Sequence, residues 1–371
     1  MMRPPTLAAY YYPGWHPCPI RDAEFPKDFS EWDLVTSCRP RFRGHRQPML
    51  PLWGKHDESD PNEFERKIDA AVDFGIDIFV FAFFWSRGKR LLEGALKRGF
   101  LGNTKNERMK FALMWANRMP RRVLPVKNPR QQLIDPTRLV HTDGDDFLNF
   151  IKHIACHYFG LTNYFAFRGG KYLSIFDTNF FLRQMGEAAA RECILVAREW
   201  LSKNGFGELH LAAIDPIPEF WPTLKSIGFD SVTHYVFLPD WKGDLLQDFE
   251  EQAEKKARMW QKFKAETDLP YFPSVSPGWD ASARAVDYGK ERPKRYPWSP
   301  IVSGSHPQRF GAFLKRGLDF TRSHNPEEPL CFIASWNEWS EGHYIEPDIT
   351  YKYEWLEAVR AQKQTSGDGT V

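Results

Sequence analysis

Eight short apolar runs, each followed by a stretch suited to a helix, constrain this chain more than any other feature. They fall at residues 7–12, 76–85, 111–117, 171–177, 210–215, 231–237, 271–276 and 330–336. Near-continuous apolar runs of this length read as strands buried on both faces, the state of a parallel sheet covered by helices. The intervening segments at 61–74, 89–98, 143–158, 182–203, 221–227, 244–266 and 307–324 read as helices, and 351–362 as a last one. Asp60 before Pro61, and Asp143, stand where N-caps belong. Eight strand–helix units in 371 residues match a closed (β/α)8 TIM barrel, a single α/β domain with long loops after its strands. The domain is expected over 1–364, with a polar, disordered tail at 365–371. A doubly wound open sheet is the alternative. Against it, no G-x-G-x-x-G follows a strand, and Gly169-Gly170-Lys171 lacks the rest of a P-loop.

A barrel places its chemistry at the C-terminal ends of its strands. The side chains expected there form one candidate rim: Tyr11, Tyr12, Trp15 and His16 after the first strand, Trp85 at the second, Trp115 and Asn117 at the third. Asp177, Asp215, His234 and Tyr235, and Trp279 follow at the fourth to seventh strands, and Trp336, Asn337 and Tyr344 after the eighth. Each also has a plainer reading as a core aromatic or a helix cap, Asp177 and Asp215 above all. Two loops are long enough to be functional, 15–60 and 277–305.

The eighth run leads into Ser335-Trp336-Asn337-Glu338-Trp339-Ser340-Glu341-Gly342. Glu338 and Glu341 lie three residues apart, which on a continuing strand would place them on opposite faces. They share a site only if the strand ends between them and the chain turns. Ser340, Gly342 and Pro347 supply turn chemistry. Apolar walls raise the pKa of a carboxyl, and a neighbouring carboxylate raises one of the pair further, so the two hold one proton near neutral pH. Glycosidic cleavage needs such an acid and base together.

The stretch from Trp336 to Gly342, followed by Ile345-Glu346-Pro347-Asp348, resembles the signature of the WbsX-like proteins. These sit with the glycoside hydrolase family 99-like group, relatives of endo-α-1,2-mannosidases. Ala9-Tyr10-Tyr11-Tyr12-Pro13-Gly14-Trp15-His16 resembles that group's first strand, so the likeness brackets nearly the whole chain. It implies a retaining hydrolase in which Glu338 is general base on the sugar's own 2-hydroxyl and Glu341 is general acid, through a 1,2-anhydro sugar. The sequence by itself leaves open a nucleophilic carboxylate or one that activates water.

The reading is therefore a glycoside hydrolase acting on an oligo- or polysaccharide. A WbsX-type glycosyltransferase or polysaccharide-assembly protein, and a non-catalytic carbohydrate-binding barrel, are the rivals. Asp143-Gly144-Asp145 is a D-x-D, but at a helix start capping explains it better than a nucleotide site. The formal net charge of +2 speaks against a nucleic-acid partner, and no apolar run reaches the ~20 residues of a membrane span. Fourteen tryptophans suit a site that stacks on sugar rings. Arginines at 39, 41, 43, 46, 118, 121 and 122 would suit an anionic glycan or a solvated face, and Asp57, Glu58 and Asp60 are expected in water. His16, His234, His306 and His343 share no ligand spacing, and His153/His157 lack the Glu of H-E-x-x-H, so no metal or cofactor is expected. Five scattered cysteines do not suggest a disulfide framework. Met1-Met2-Arg3-Pro4-Pro5 carries no signal-peptide core. The expected location is cytoplasmic for the chain as written, and periplasmic or secreted if a leader has been removed.

Overall fold

The computed structural model describes residues 3–19, 25–117, 124–127, 143–289 and 291–365. Its centre is a barrel of eight parallel strands: β1 (Thr6–Tyr11), β2 (Ile78–Ser86), β3 (Lys110–Trp115), β4 (Gly170–Ile175), β5 (Glu208–Ile214), β6 (Ser231–Thr233), β7 (Ser274–Val275) and β8 (Leu330–Ile333). Hydrogen-bonded neighbours run β7-β8-β1-β2-β3-β4-β5-β6. The remaining gap is bridged beside Val232, whose N–H donates to Pro270 O and whose carbonyl accepts from Phe272 N, both at 2.9 Å.

Strand alternation divides the apolar residues between two layers. Ala8, Tyr10, Ile78, Val80, Ala112, Met114, Tyr172 and Phe332 fill the barrel interior. Leu7, Ala9, Tyr11, Phe79, Phe81, Leu113, Ile175 and Ile333 face the helices. Those helices are α1 (Pro61–Asp73), α2 (Gly144–Ile154), α3 (Thr178–Met185), α4 (Glu187–Lys203), α5 (Leu224–Ile227), α6 (Phe249–Glu266), α7 (Pro307–His324) and α8 (Glu354–Thr365). Asp60 caps α1 through Asn62 N, and Asp143 caps α2 through Asp146 N, which accounts for Asp143 without a nucleotide. Among the described residues, no helix is long and apolar enough to cross a membrane.

Several expected elements differ. The helix expected at 89–98 is a hairpin followed by a wide helical turn. Lys89–Leu91 folds back antiparallel on β2, because Arg87 and Gly88 take positive φ angles of 47° and 77°, as a two-residue hairpin loop requires. Ala95–Phe100 then forms the turn. The helix expected at 182–203 is two, broken at Gly186 with φ 77°. The start of the 244–266 segment is a strand: Leu246–Asp248 joins Ile301–Ser303 and Trp279–Asp280 in a small sheet over the rim. The last helix runs to Thr365, and the tail expected to be disordered falls mostly outside the described residues, as does most of the basic 118–141 loop.

Candidate active site

After β8 the chain does end its run and turn. Asn337–Glu338 pairs antiparallel with His343–Tyr344, and Trp339–Glu341 forms a single 3-10 turn between them. Gly342 closes the turn at φ 67° and ψ 24°. A side chain there would meet Asp280 N and O at 2.9 Å, so glycine is needed for conformation and for space. Ser335 locks the hairpin: its hydroxyl donates to His343 O at 2.8 Å and accepts from Glu338 N at 2.9 Å.

This geometry brings Glu338 and Glu341 together around Arg284, a residue of the loop after β7. The guanidinium uses all five N–H groups. Nε donates to Glu31 at 3.1 Å, and one terminal nitrogen to Glu31 at 2.9 Å and Glu338 at 2.8 Å. The other donates to Glu341 and, at 3.2 Å, to the Tyr296 hydroxyl. Tyr296 donates in turn to Glu341 at 2.6 Å, and Tyr12 to Glu31 at 2.5 Å. Carboxylate oxygens of Glu338 and Glu341 and a ring nitrogen of His343 all lie within 4.8 Å of one another. That trio has the make-up of a cation site, but Arg284 already supplies the positive charge to both carboxylates.

The two carboxyls are not equivalent. Burial pushes Glu338 well above the ordinary glutamate range; Arg284 opposes this, and Glu341 and Glu31 reinforce it. Burial also acts on Glu341, but Arg284, His343 and Tyr296 together outweigh it and hold this carboxyl far below its usual range. The Ser340 hydroxyl donates to Glu31 at 2.6 Å and lies 3.2 Å from Glu338. Of the two carboxyls, Glu338 is the one whose surroundings favour the protonated form. Burial lowers the His343 pKa, which leaves the imidazole neutral beside Glu341.

A second polar layer lies beneath. Lys67, from α1, is fully buried at 2.7 Å from Glu58 and 2.5 Å from Glu346. Glu58 also accepts from Tyr11 at 2.6 Å and Asn337 at 2.9 Å, while Glu346 accepts from the Trp339 indole at 2.8 Å. Glu58, expected in water, is instead fully buried, because Lys67 and two neutral donors, Tyr11 and Asn337, compensate it.

The other expected rim residues separate into groups. Tyr12, Asn337, Trp279, Tyr235 and Tyr344 lie on or beside the pair. Asn337 clasps Tyr12 N and O at 2.8 Å, Trp279 stacks on His343 at 5.4 Å, and Tyr235 meets that imidazole edge-on at 5.6 Å. Tyr344 stacks on Trp339 at 3.7 Å. Trp15 is behind them, its indole donating to Asn337 O at 2.9 Å, and His16 lies 2.7 Å from Pro17 O. Tyr11, Trp85, Trp115 and Trp336 face the helix layer instead: Trp85 donates to Asp146 at 3.0 Å, Trp115 packs on Phe150 and Trp336 on Phe79. Asn117 and Asp177 join the ends of β3 and β4 through two backbone contacts, and Asp177 caps α3. Asp215 holds His234 at 2.5 Å, and that imidazole stacks on Phe237.

Glu31, Arg284, Tyr296, Ser340 and His343 join the site without having been singled out for it. Glu31 sits in a long loop beside Trp32, which was a usable hint. Arg284 stands in a short turn with no local pattern to distinguish it from the chain's other arginines.

The family model described as "Glycosyltransferase WbsX" matches residues 7–359. "Uncharacterized protein WxcX" of Xanthomonas campestris pv. campestris is 30% identical over 376 residues, covering 96% of this chain and 49% of that protein. The chain thus spans about half the length of the curated relatives it matches. Among solved structures, the GH99 endo-alpha-mannosidase from Bacteroides thetaiotaomicron superposes with a TM-score of 0.65 at 13% identity, over 98% of this chain and 99% of that one. A "glycoside hydrolase-like protein" gives 0.61 at 18% identity, over 97% and 94%. At these identities the superpositions establish the barrel and its connectivity. With a family model covering nearly its full length, the chain belongs to the WbsX family.

Proposed function

We propose that this protein is a glycoside hydrolase whose acid–base pair is Glu338 and Glu341. The observation that carries this reading is the pair itself: one buried and one half-buried carboxylate gripped by one guanidinium at the C-terminal rim of the barrel, with surroundings that push their pKa values apart. Both carboxylates accept from the same guanidinium, a closeness that suits the retaining geometry better than the wider gap that admits a water. Trp279, Tyr235 and Tyr296 supply aromatic surface beside the pair, suited to sugar faces. The solved endo-alpha-mannosidase of the same fold supports the reaction class.

Under the roles implied by the resemblance, Glu338 is the base and Glu341 the acid, with a 1,2-anhydro sugar as intermediate. In the resting site the surroundings favour a proton on the other member. It must pass to Glu341 as substrate hydroxyls replace part of the Arg284 contacts, after which Glu338 can take the 2-hydroxyl proton. The family description favours a second reading, transfer from an activated donor. Digestion of a broad glycan panel, α-mannans included, without any nucleotide sugar separates the two. Wild type is expected to release shorter sugars, and Glu341→Gln to lose that activity. Transfer only when a nucleotide sugar is added would overturn the hydrolase reading.

A further inference from the structure

Trp241, in the loop after β6, is 53% exposed. A single exposed apolar side chain is ordinary on a protein surface, and what sets this one apart is its place. It packs edge-on against Trp279, with ring centroids 4.9 Å apart at 81°. Trp279 stacks on His343 at 5.4 Å, and His343 lies 3.4 Å from Glu341. Trp241 therefore carries the aromatic wall of the site outward from the pair into solvent. The ring it touches also holds an unspent donor: the Trp279 indole N–H is buried, with no acceptor among the described residues, a cost that a sugar hydroxyl would remove.

The exposed indole stands on a braced turn. Gln247 donates to Asp240 O at 2.7 Å and to Asp244 O at 2.9 Å, and accepts from Asp240 N at 2.8 Å. Lys255 holds the Asp240 carboxylate at 2.6 Å. Gln247 lies in the strand Leu246–Asp248, which pairs with Ile301–Ser303, and that strand pairs with Trp279–Asp280. One small sheet thus sets the positions of both indoles. A ring held in place before its ligand arrives gives up little freedom on binding.

We propose that Trp241 is the stacking platform of a second sugar subsite, adjoining the one at Glu338 and Glu341. The inference rests on the glycan-processing reading and deepens it: the ligand is an oligosaccharide of two or more rings, one of which lays its C–H face on the exposed indole. An indole suits that role, because its face offers apolar area while the hydroxyls at the ring edge stay in water.

The test is the Kd, by saturation-transfer NMR titration at pH 7, of mono-, di- and trisaccharides from the α-mannan, β-glucan and chitin series. Wild type, Trp241→Ala and Trp241→Phe are compared. In a series that wild type binds, Trp241→Ala is expected to weaken the di- or trisaccharide at least about fivefold more than the monosaccharide, as the loss of one stacked ring implies. Trp241→Phe is expected to recover part of that loss. An equal loss at every length would mean that Trp241 only supports Trp279, and it would overturn the inference, as would no loss at any length. Either result leaves the glycan reading standing. A wild type that binds no member of the three series would remove both.

Discussion

Replacing Lys67 with methionine tests whether the polar layer beneath the pair holds the site in place. Lys67 is fully buried and joins Glu58 and Glu346 at 2.7 and 2.5 Å. Methionine fills much the same volume but leaves the two buried carboxylates without their shared cation, with His56 3.9 Å from each and only the neutral donors Tyr11, Asn337 and Trp339 in hydrogen-bond contact. Breaking a buried pair from one side typically costs about 3–5 kcal/mol. The pH dependence identifies the cause. In the wild type, burial alone would raise the Glu58 pKa, but Lys67 and His56 bring it down to about 2. Its contribution to stability is therefore complete above the ordinary glutamate value and fades as pH falls toward 2. Without Lys67, burial dominates and Glu58 takes up a proton more readily, so the variant's deficit shrinks on acidification. Urea denaturation followed by tryptophan fluorescence should show a loss of about 3–5 kcal/mol at pH 7 and a smaller loss at pH 5. Because Glu58 orients Asn337, and Glu346 orients Trp339, turnover should fall even where the variant is fully folded. A loss below about 1 kcal/mol at pH 7, or one that does not change with pH, would refute the argument.

Two further outcomes follow from the pair and its turn. Arg284→Met should move both limbs of the kcat/KM–pH profile upward, since removing the cation raises the pKa of Glu341 and of Glu338; limbs that stay in place would mean that Arg284 does not set the pair's protonation. Gly342→Ala should cost about 1–2 kcal/mol in thermal or urea stability for the left-handed backbone. It should also reduce turnover disproportionately, because the added methyl meets Asp280 and displaces the turn that carries Glu341; unchanged kcat would contradict that geometry.

The eight apolar runs determined the barrel because each is too apolar to leave a face in water and too short to be a core helix. Asp60 and Asp143 likewise declared their caps, since an N-cap bond spans only two or three residues. The closeness of Glu338 and Glu341 was legible as a condition, a strand that stops and turns, and Gly342 marked where it would. What surrounds the pair was not legible. Glu31 and Arg284 are 253 residues apart, and an arginine's range of partners is set by which loops meet over the rim. Glu58 read as a solvated loop acid because its compensating Lys67 lies nine residues on, turned inward by a helix whose other charges face water. Trp85 and Trp115 belong to the helix layer because strand alternation, not residue type, decides which side of a barrel wall a side chain takes. Local pattern therefore determines the elements and their order. Charge balance at the site is a property of long-range contacts, which exist only once the barrel has closed and its loops have met.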